Sequence, residues 1–577
     1  MRSGPVRSEA AQCQDCYKCL RQCPVKAIRV AQGHAAIDPE RCVACGACVE
    51  ACPAGAKRVR DDLPRVKGLV AGSGPVVASL APSWISEFPG LAPARMAAAL
   101  RRLGFAGAGE TALGAQEVSA RIARDLDREK GRLWLSTACP VAVSLVRGTR
   151  PDLAAHLTPV ASPAQAHAAM LQRAFGAEAK VVFIGPCIGK KLEAESHPGL
   201  LAAALTFEDL RTWLDDAGLA PADLEPGPDD AFAGGPAAEG AFYPVEGGMA
   251  RATRLNMATD RTRFLTLAGV TAIREALEGL RPPAEGNLFL ELLACEGGCV
   301  RGPKATRRSP VEAYMRILDA ARTEPGAYPR SWGPGLGRTY DPRPQAGPVF
   351  RDDQLEAALH QIGKRCAGDE LNCGACGYDT CRALASAILA GDAEGLMCVS
   401  NLRRLAEKKA NALLRTLPLG VVIVDQDLRI IESNEEFARI MGEDALTAYQ
   451  AIPGLADARL EKFVPFGDRF REVLAGGDEI IRQNLQCGEK VLSATIFAVE
   501  PHQVAGALLL DVTGEEERRR QVIGKAELVI QNMLGNVQEI AFSLGRNAAR
   551  SEGILNSIIA EFSGQERTGG GAHEPRP

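Results

Sequence analysis

The sequence predicts a multidomain protein that combines α/β and α+β domains. The chain has 577 residues, which is enough for about three to five domains. Its 18 cysteines fall into separate groups, and apolar strand-like runs alternate with helical runs through the middle of the chain, as in α/β domains. The composition is typical of globular proteins, and the formal net charge of −4 gives no indication of nucleic-acid binding.

The sequence contains no run of about 18 apolar residues that could span a membrane. The N-terminal segment MRSGPVRSEAAQ also lacks the apolar core of a secretion signal. We therefore expect a cytoplasmic protein with no membrane partner. Because the cytosol keeps thiols reduced, we expect the grouped cysteines to bind metal rather than to form disulfides.

Residues 1–62 contain two cysteine runs, CQDCYKCLRQCP and CVACGACVEACP, which share the spacing C-x2-C-x2-C-x3-C-P. This is the bacterial two-cluster ferredoxin pattern, in which the fourth cysteine of each run binds the other cluster. It predicts a ferredoxin-like domain with two [4Fe–4S] clusters, and the runs AIRV and HAAID predict short strands. Two four-cysteine zinc sites are the alternative, although zinc ligands usually come as separated pairs. The predicted ligands are Cys13, Cys16, Cys19 and Cys52 for one cluster, and Cys42, Cys45, Cys48 and Cys23 for the other.

Residues 66–345 contain four widely separated cysteines, namely Cys139, Cys187, Cys295 and Cys299. They come after the apolar runs RLWLST, KVVFIGP and LFLELLA and lie near proline or glycine. Such runs predict buried strands, so the cysteines should converge at the carboxyl ends of a parallel sheet. Four thiolates are the number that one cubane cluster needs, and four structural core cysteines are the alternative.

The motifs around these cysteines resemble the signature loops of [FeFe]-hydrogenases over nearly all of residues 66–303. They are TACP at Cys139, PCIGKKLE at Cys187, and ACEGGC at Cys295 and Cys299. The resemblance implies that the four cysteines hold a [4Fe–4S] cluster. It also implies that Cys299 bridges this cluster to a diiron unit that carries CO, cyanide and a bridging dithiolate.

The same resemblance assigns roles to residues other than cysteine. Lys190 would place its ammonium group against a cyanide ligand. Gly297 and Gly298 would let the backbone approach the cluster closely. Pro82 and Ser83 match the family's first active-site loop.

One departure from the family pattern concerns proton delivery. Active members carry a proton-transferring cysteine just before the cluster cysteine of the first motif, and this chain has Ala138 there. A methyl group cannot carry a proton. Thr158 matches a relay serine and Glu193 is retained, but the family's relay glutamate falls near Ile122. We expect impaired proton delivery and low turnover; a tolerated substitution with another relay, through water, is the alternative.

Residues 350–403 contain Cys373, Cys376, Cys381 and Cys398 with the spacing C-x2-C-x4-C-x16-C. This pattern resembles a small single-cluster iron–sulfur domain found in electron-transfer and sensory proteins. It predicts a fourth [4Fe–4S] cluster. We expect Cys366 to remain unligated.

The last part of the chain changes in composition. Residues 404–514, which include PLGVVIVDQDLRIIESNEEF, resemble a PAS domain. Residues 515–565 have apolar positions at alternating spacings of three and four, which predicts a coiled-coil helix and a homodimer. A helix that packs on the PAS domain is the alternative. Residues 566–577 predict a disordered tail.

Together these patterns predict a sensory [FeFe]-hydrogenase that reacts slowly with H2. Its iron–sulfur clusters would relay the state of H2 or of a redox carrier to the PAS domain and an unidentified signalling protein. One alternative is a catalytic electron-transferring hydrogenase that oxidises H2 or reduces protons, with a regulatory PAS domain. A second alternative is an iron–sulfur redox relay without a diiron unit.

Overall fold

The structure is a computed structural model, which describes residues 4–31, 33–129, 131–259, 261–306, 309–321, 336–345, 347–477 and 480–513. The chain divides into two compact units, residues 1–399 and 400–577. The predicted coiled-coil helix at 515–565 and tail at 566–577 lie outside the described residues. Among the described helices, none combines the length and the apolar character that a membrane crossing requires.

The N-terminal region forms two small antiparallel ladders around two cysteine loops. Strand β1 (Val6–Ser8) pairs with β4 (Lys57–Val59), and β2 (Ile28–Ala31) pairs with β3 (His34–Ile37). The second pair is formed by the runs AIRV and HAAID, which the sequence predicts as short strands. The third cysteine of each run lies on a short helix, so each loop wraps tightly before its helix begins. The elements are β1 (Val6–Ser8), α1 (Lys18–Arg21), β2 (Ile28–Ala31), β3 (His34–Ile37), α2 (Ala47–Ala51) and β4 (Lys57–Val59).

The central region contains two parallel sheets with helices packed against them. One has the strand order β6-β5-β8-β9 and the other has the order β10-β11-β7. The strands are β5 (Val76–Leu80), β6 (Gly107–Glu110), β7 (Leu133–Leu135), β8 (Lys180–Ile184), β9 (Ala203–Leu205), β10 (Thr262–Ala268) and β11 (Asn287–Leu293).

The helices of the central region connect these strands, which gives the predicted α/β organisation. They are α3 (Leu63–Val70), α4 (Trp84–Glu87), α5 (Pro93–Arg102), α6 (Thr111–Arg128), α7 (Pro140–Thr149), α8 (Pro163–Phe175), α9 (Gly189–Ser196), α10 (Phe207–Asp216), α11 (Gly248–Arg254), α12 (Val270–Leu277) and α13 (Pro310–Ala320).

The prediction of one parallel sheet for the cysteine-bearing strands was wrong in one respect. The three apolar runs do form the strands β7, β8 and β11. However, β7 and β11 belong to one sheet, and β8 belongs to the other. All three strands are buried on both faces, so their apolar pattern cannot distinguish one sheet from two.

Residues 347–399 pack on the N-terminal region and share an apolar core with it. Helix α14 (Asp352–Gln361) and helix α15 (Cys381–Leu389) frame this part. The backbone N–H of Val30 donates to the carbonyl of Asp392 at 2.8 Å, and Lys26 Nζ donates to the carbonyl of Gly377 at 2.6 Å.

The second unit contains an antiparallel sheet with the strand order β13-β12-β16-β15-β14. Strand β14 lies at one edge of this sheet, and most of its residues are exposed. The elements are α16 (Val399–Thr416), β12 (Gly420–Asp425), β13 (Ile430–Ser433), α17 (Glu435–Met441), α18 (Glu443–Ala451), α19 (Gly467–Gly476), β14 (Ile480–Cys487), β15 (Lys490–Glu500) and β16 (Val504–Asp511).

Candidate functional site

Four cysteines from the carboxyl ends of three strands meet at one cavity. Cys139 follows β7, Cys187 follows β8, and Cys295 and Cys299 follow β11. All four line one cavity. The structure therefore brings together the four residues that the sequence predicted as one ligand set.

The electrostatics of these thiols fit a metal cluster. Burial raises the pKa of Cys187 to about 11, and the neighbouring Cys139 adds to the rise. Burial and neighbouring thiols also raise the pKa values of Cys295 and Cys299. Thiols with pKa values raised in this way lose their protons together only against a strong positive charge, which bound iron would supply.

A larger cavity adjoins the first one, and Cys139, Cys187 and Cys299 lie in the walls of both. Its wall also contains four more residues that the sequence singled out, namely Pro82, Ser83, Ala138 and Lys190. The Ser83 hydroxyl is buried and has no hydrogen-bond partner among the described residues. A mostly apolar cavity that contains the Lys190 ammonium group and an unpaired hydroxyl group suits a metal unit that carries small polar ligands.

Lys190 is held in the wall of this cavity by a buried ion pair. Its Nζ lies 2.5 Å from Glu193 Oε2 and 3.2 Å from Ser162 Oγ. Gln165 Nε2 donates to Glu193 Oε1 at 2.8 Å. Glu193 does not line the cavity, so it acts by positioning Lys190. An ammonium group has three donors, and these contacts leave one for the cavity.

Two predicted relay positions lie away from the cavity. Thr158 is buried, and its hydroxyl lies 2.7 Å from the hydroxyl of Thr137, which donates to the carbonyl of Val160 at 2.9 Å. It supports the loop before Ala138 rather than the cavity wall. Ile122 lies in an apolar cluster against which Ala138 packs, so no proton carrier occupies that position.

The two glycines of the third motif meet a backbone requirement. Gly297 has a φ of 81° and Gly298 has a φ of 82°, values that favour glycine. A Cβ at Gly298 would lie 2.4 Å from the carbonyl oxygen of Pro244. Gly298 lines the smaller cavity, whereas Gly297 does not.

Sequence reasoning missed Glu291, which lies on β11 and lines the larger cavity. Its carboxylate accepts from the backbone N–H groups of Met249 at 3.1 Å and Ala250 at 3.2 Å, and from Thr266 Oγ1 at 3.1 Å. Burial nevertheless raises its pKa to about 7. The signal was present in the sequence, because one acid interrupts the otherwise apolar run LFLELLA.

The N-terminal cysteines lie in two groups that agree with the predicted exchange of ligands. Cys19 interacts electrostatically with Cys13 and Cys52, and Cys16 lies in the loop before α1. Cys23 contributes to the raised pKa values of the second group, which reach about 11 for Cys42 and about 12 for Cys45. Cys48 belongs to that second group. Cys45 also lines the smaller cavity and raises the pKa of Cys295.

Three of the four predicted ligands in the region after residue 350 interact with one another. Cys373 and Cys398 both contribute to the raised pKa of Cys376. Cys381 begins α15, and it is buried like Cys398. Cys366 is exposed.

Comparison with known families agrees with these groups. Residues 74–303 match the family described as iron only hydrogenase large subunit, C-terminal domain. Residues 74–303 are therefore similar to the hydrogenase domain of that family. Residues 5–53 match a 4Fe-4S dicluster domain, and residues 369–400 match a putative Fe-S cluster domain. A search of curated proteins finds no match.

Solved structures that resemble the chain include [FeFe]-hydrogenases. A variant of the enzyme from Chlamydomonas reinhardtii shares 17% identity, covers 49% of this chain and 99% of its own, and has a TM-score of 0.37. An [FeFe]-hydrogenase studied for oxygen inactivation shares 16% identity, with the same coverage and TM-score. A LOV protein from Rhodobacter sphaeroides shares 10% identity, covers 28% of this chain and 99% of its own, and has a TM-score of 0.19.

Proposed function

We propose that the chain is a sensory [FeFe]-hydrogenase that reacts slowly with H2 and relays its redox state through iron–sulfur clusters. The observation that carries the proposal is Ala138 in the wall of the larger cavity. The four cysteines and Lys190 are in place there, but this position offers a methyl group where the resembled family has a proton carrier.

The residues that would hold the cofactors are the four groups of cysteines described above. Each group would take one [4Fe–4S] cluster, which gives on the order of sixteen irons. Cys299 would also hold the diiron unit, with Pro82, Ser83 and Lys190 around it. When bound, that unit supplies the centre at which H2 is split or formed.

The protein's own contribution is to orient ligands, exclude water and hold protons. Glu193 fixes Lys190 so that its ammonium donor reaches the cavity. The apolar wall excludes water, which strengthens each polar contact inside. Glu291 has a pKa of about 7, so it can hold or release a proton near neutral pH.

The arrangement of cysteine groups supports a continuous electron path within residues 1–399. Cys45 lies near Cys295, which links the second N-terminal group to the smaller cavity. On the other side, Tyr378 interacts electrostatically with both Cys376 and Cys23. The region after residue 350 would therefore exchange electrons with the N-terminal clusters.

We propose that the second unit is a PAS domain that receives the redox state of the iron–sulfur clusters. Its antiparallel sheet β13-β12-β16-β15-β14 supports the proposal, because the first strand of the unit, β12, pairs with the last, β16, as the resemblance to a PAS domain implies. Asn434 caps α17 through Phe437 N–H and also accepts from Val421 N–H. A signalling protein would bind the homodimer that the C-terminal helix is proposed to form.

Glu291 favours a second candidate function, a catalytic hydrogenase with a different proton route. The two candidates differ in rate. A sensor should turn over H2 slowly in the wild-type chain. A catalyst should turn over H2 rapidly, and Glu291→Gln should lower that rate by about 10²–10⁴-fold.

The test is infrared spectroscopy of the matured full-length chain together with H2 oxidation and evolution assays. We expect bands of iron-bound CO and cyanide and rates far below those of an ordinary [FeFe]-hydrogenase. A spectrum without these bands would contradict the presence of a diiron unit, and an iron–sulfur redox relay would be the remaining candidate function. Ordinary rates would contradict the sensory role.

A further inference from the structure

A buried hydrogen-bond chain runs from the wall of the larger cavity into the domain core. Thr111, the first residue of α6, lines the cavity. Its Oγ1 lies 2.8 Å from Oγ of Ser79 on β5, and Ser79 Oγ lies 2.7 Å from Nδ1 of His167 on α8. All three side chains are buried, and no sequence motif included them.

Two glycines lie against His167. A Cβ at Gly109 would lie 2.9 Å from His167 Nε2, so Gly109 makes room for the imidazole. A Cβ at Gly114 would lie 2.2 Å from the carbonyl oxygen of Pro163 and 2.6 Å from the backbone nitrogen of His167, so Gly114 makes room for the backbone of α8. Neither glycine has a positive φ, so the close approach explains its lack of a side chain. In a close-packed core such clearance indicates that the imidazole is a specific part of the fold.

Counting hydrogen atoms decides the direction of the chain. Burial lowers the pKa of His167 to about 3, so the ring is neutral at neutral pH and carries one N–H. The ring and the two hydroxyls together have three hydrogen atoms, and the two links use two of them. The third lies at one end of the chain, on His167 Nε2 or on the Thr111 hydroxyl.

The surroundings of the two ends differ. Nε2 of His167 is buried and has no hydrogen-bond partner among the described residues. An N–H stranded there would be an orphaned donor, and buried donors without a partner are rarer than acceptors without one. With the hydrogen on Nδ1, the ring donates to Ser79, Ser79 donates to Thr111, and the Thr111 hydroxyl has its hydrogen free for the cavity.

We propose that Thr111 donates a hydrogen bond to a ligand in the larger cavity, and that Ser79 and His167 are positioning residues that fix its direction. The acceptor is a small electron-rich ligand of a metal unit, and metal-bound cyanide is the class that fits. This inference rests on the proposed function. A hydrogen bond to such a cyanide withdraws electron density from iron, which raises the stretching frequency of CO on the same iron.

The experiment is infrared spectroscopy of the matured full-length chain and its variants. We expect Thr111→Val to shift the CO bands to lower wavenumber, and Ser79→Ala to shift them in the same direction. Thr111→Ser keeps the hydroxyl and should keep the wild-type bands. Thr262→Val is the matched control, because Thr262 is a buried threonine without a hydroxyl partner among the described residues and outside the cavity wall.

If the CO bands of Thr111→Val lie at the same wavenumbers as those of the wild type, this inference is overturned and the proposed function stands. A wild-type chain without CO and cyanide bands would overturn both. A second measurement does not need the variants to fold. The chain has 7 histidines, so selective 15N-histidine labelling should show one neutral ring with the proton on Nδ1 that does not titrate down to pH 5. No such ring, or a neutral, non-titrating one with the proton on Nε2, would overturn the inference.

Discussion

The two cavities that meet at Cys139, Cys187 and Cys299 differ in what their walls provide. The smaller one contains the complete set of predicted thiol ligands. The larger one retains Lys190 but has Ala138 where the resembled family has a proton carrier. The comparison indicates that holding a metal unit and delivering protons to it are separate requirements, and that this chain meets the first more fully than the second.

The largest expected effect concerns the thiols that the two cavities share. We expect Cys299→Ser to abolish the diiron unit, because this thiol would be the bridge between the two metal units. The measurement is the complete loss of CO and cyanide infrared bands after maturation. Cys366→Ser is the control, since Cys366 is exposed and lies outside every cysteine group. Bands that persist in Cys299→Ser would contradict the assignment.

The proton side of the comparison is tested by Ala138→Cys. A positioned proton carrier contributes about 10²–10⁴-fold to a rate. We expect Ala138→Cys to raise the rate of H2 turnover by up to about 10²–10⁴-fold. The infrared spectrum of the metal unit should stay the same. Ala138→Val is the control, because it adds volume without a proton carrier. An equal rise in both variants would show that the effect is one of packing.

The two kinds of cysteine group also show what the sequence could predict. The N-terminal ligand sets could be predicted because the spacing within each run is a local pattern. In the structure Cys19 interacts electrostatically with Cys52 of the other run, and Cys48 with Cys23. The four distant cysteines could be grouped from the apolar runs before them and from the resemblance to a family, but their strands were assigned to one sheet instead of two. Pairing between strands such as β7 and β11 depends on contacts far apart in the chain, which an apolar pattern does not encode.

The polar residues of the larger cavity were harder to predict than its cysteines. Glu291 interrupts an apolar run, but nothing local shows that it faces a cavity. Thr158 was expected to relay protons, and it instead bonds to Thr137 behind the loop. The position of a side chain relative to a cavity depends on how sheets and helices pack, so motif matching alone does not settle it.

Glu291 allows a sharper test of the larger cavity through pH. Its pKa is about 7 in the folded chain and is raised from 4.5, so the folded state holds a proton that the unfolded state releases between these values. The stabilisation is complete below pH 4.5 and is lost as the pH rises through 7. We expect Glu291→Gln to remove this pH dependence, so that the stability of the variant no longer falls between pH 4.5 and 7 as that of the wild type does.

The measurement is the pH dependence of the denaturant midpoint for wild type and variant. Glu285→Gln is the control, because Glu285 is exposed and carries no burial cost. Parallel wild-type and Glu291→Gln profiles would mean that the carboxyl group is already ionised in the folded state.

The smallest expected effect concerns the electron path beyond the cavities, where residues 347–399 pack on the N-terminal region. A Cβ at Gly377 would lie 2.4 Å from Leu20 Cδ2, and Gly377 has a φ of 92°. Gly374 has a φ of 69° but no atom within 4 Å of its Cβ position. Gly377→Ala therefore adds a clash to the backbone strain, whereas Gly374→Ala adds the strain alone.

The amide of Val30 reports on this interface, because it donates to Asp392 across it. Overpacking typically costs about 1–3 kcal/mol, which corresponds to about 5–150-fold faster amide exchange if exchange occurs when the interface opens. We expect that acceleration at Val30 in Gly377→Ala and little change in Gly374→Ala. Equal exchange in the two variants would show that Leu20 can move aside, and that the contact between these regions is looser than an electron path between them requires.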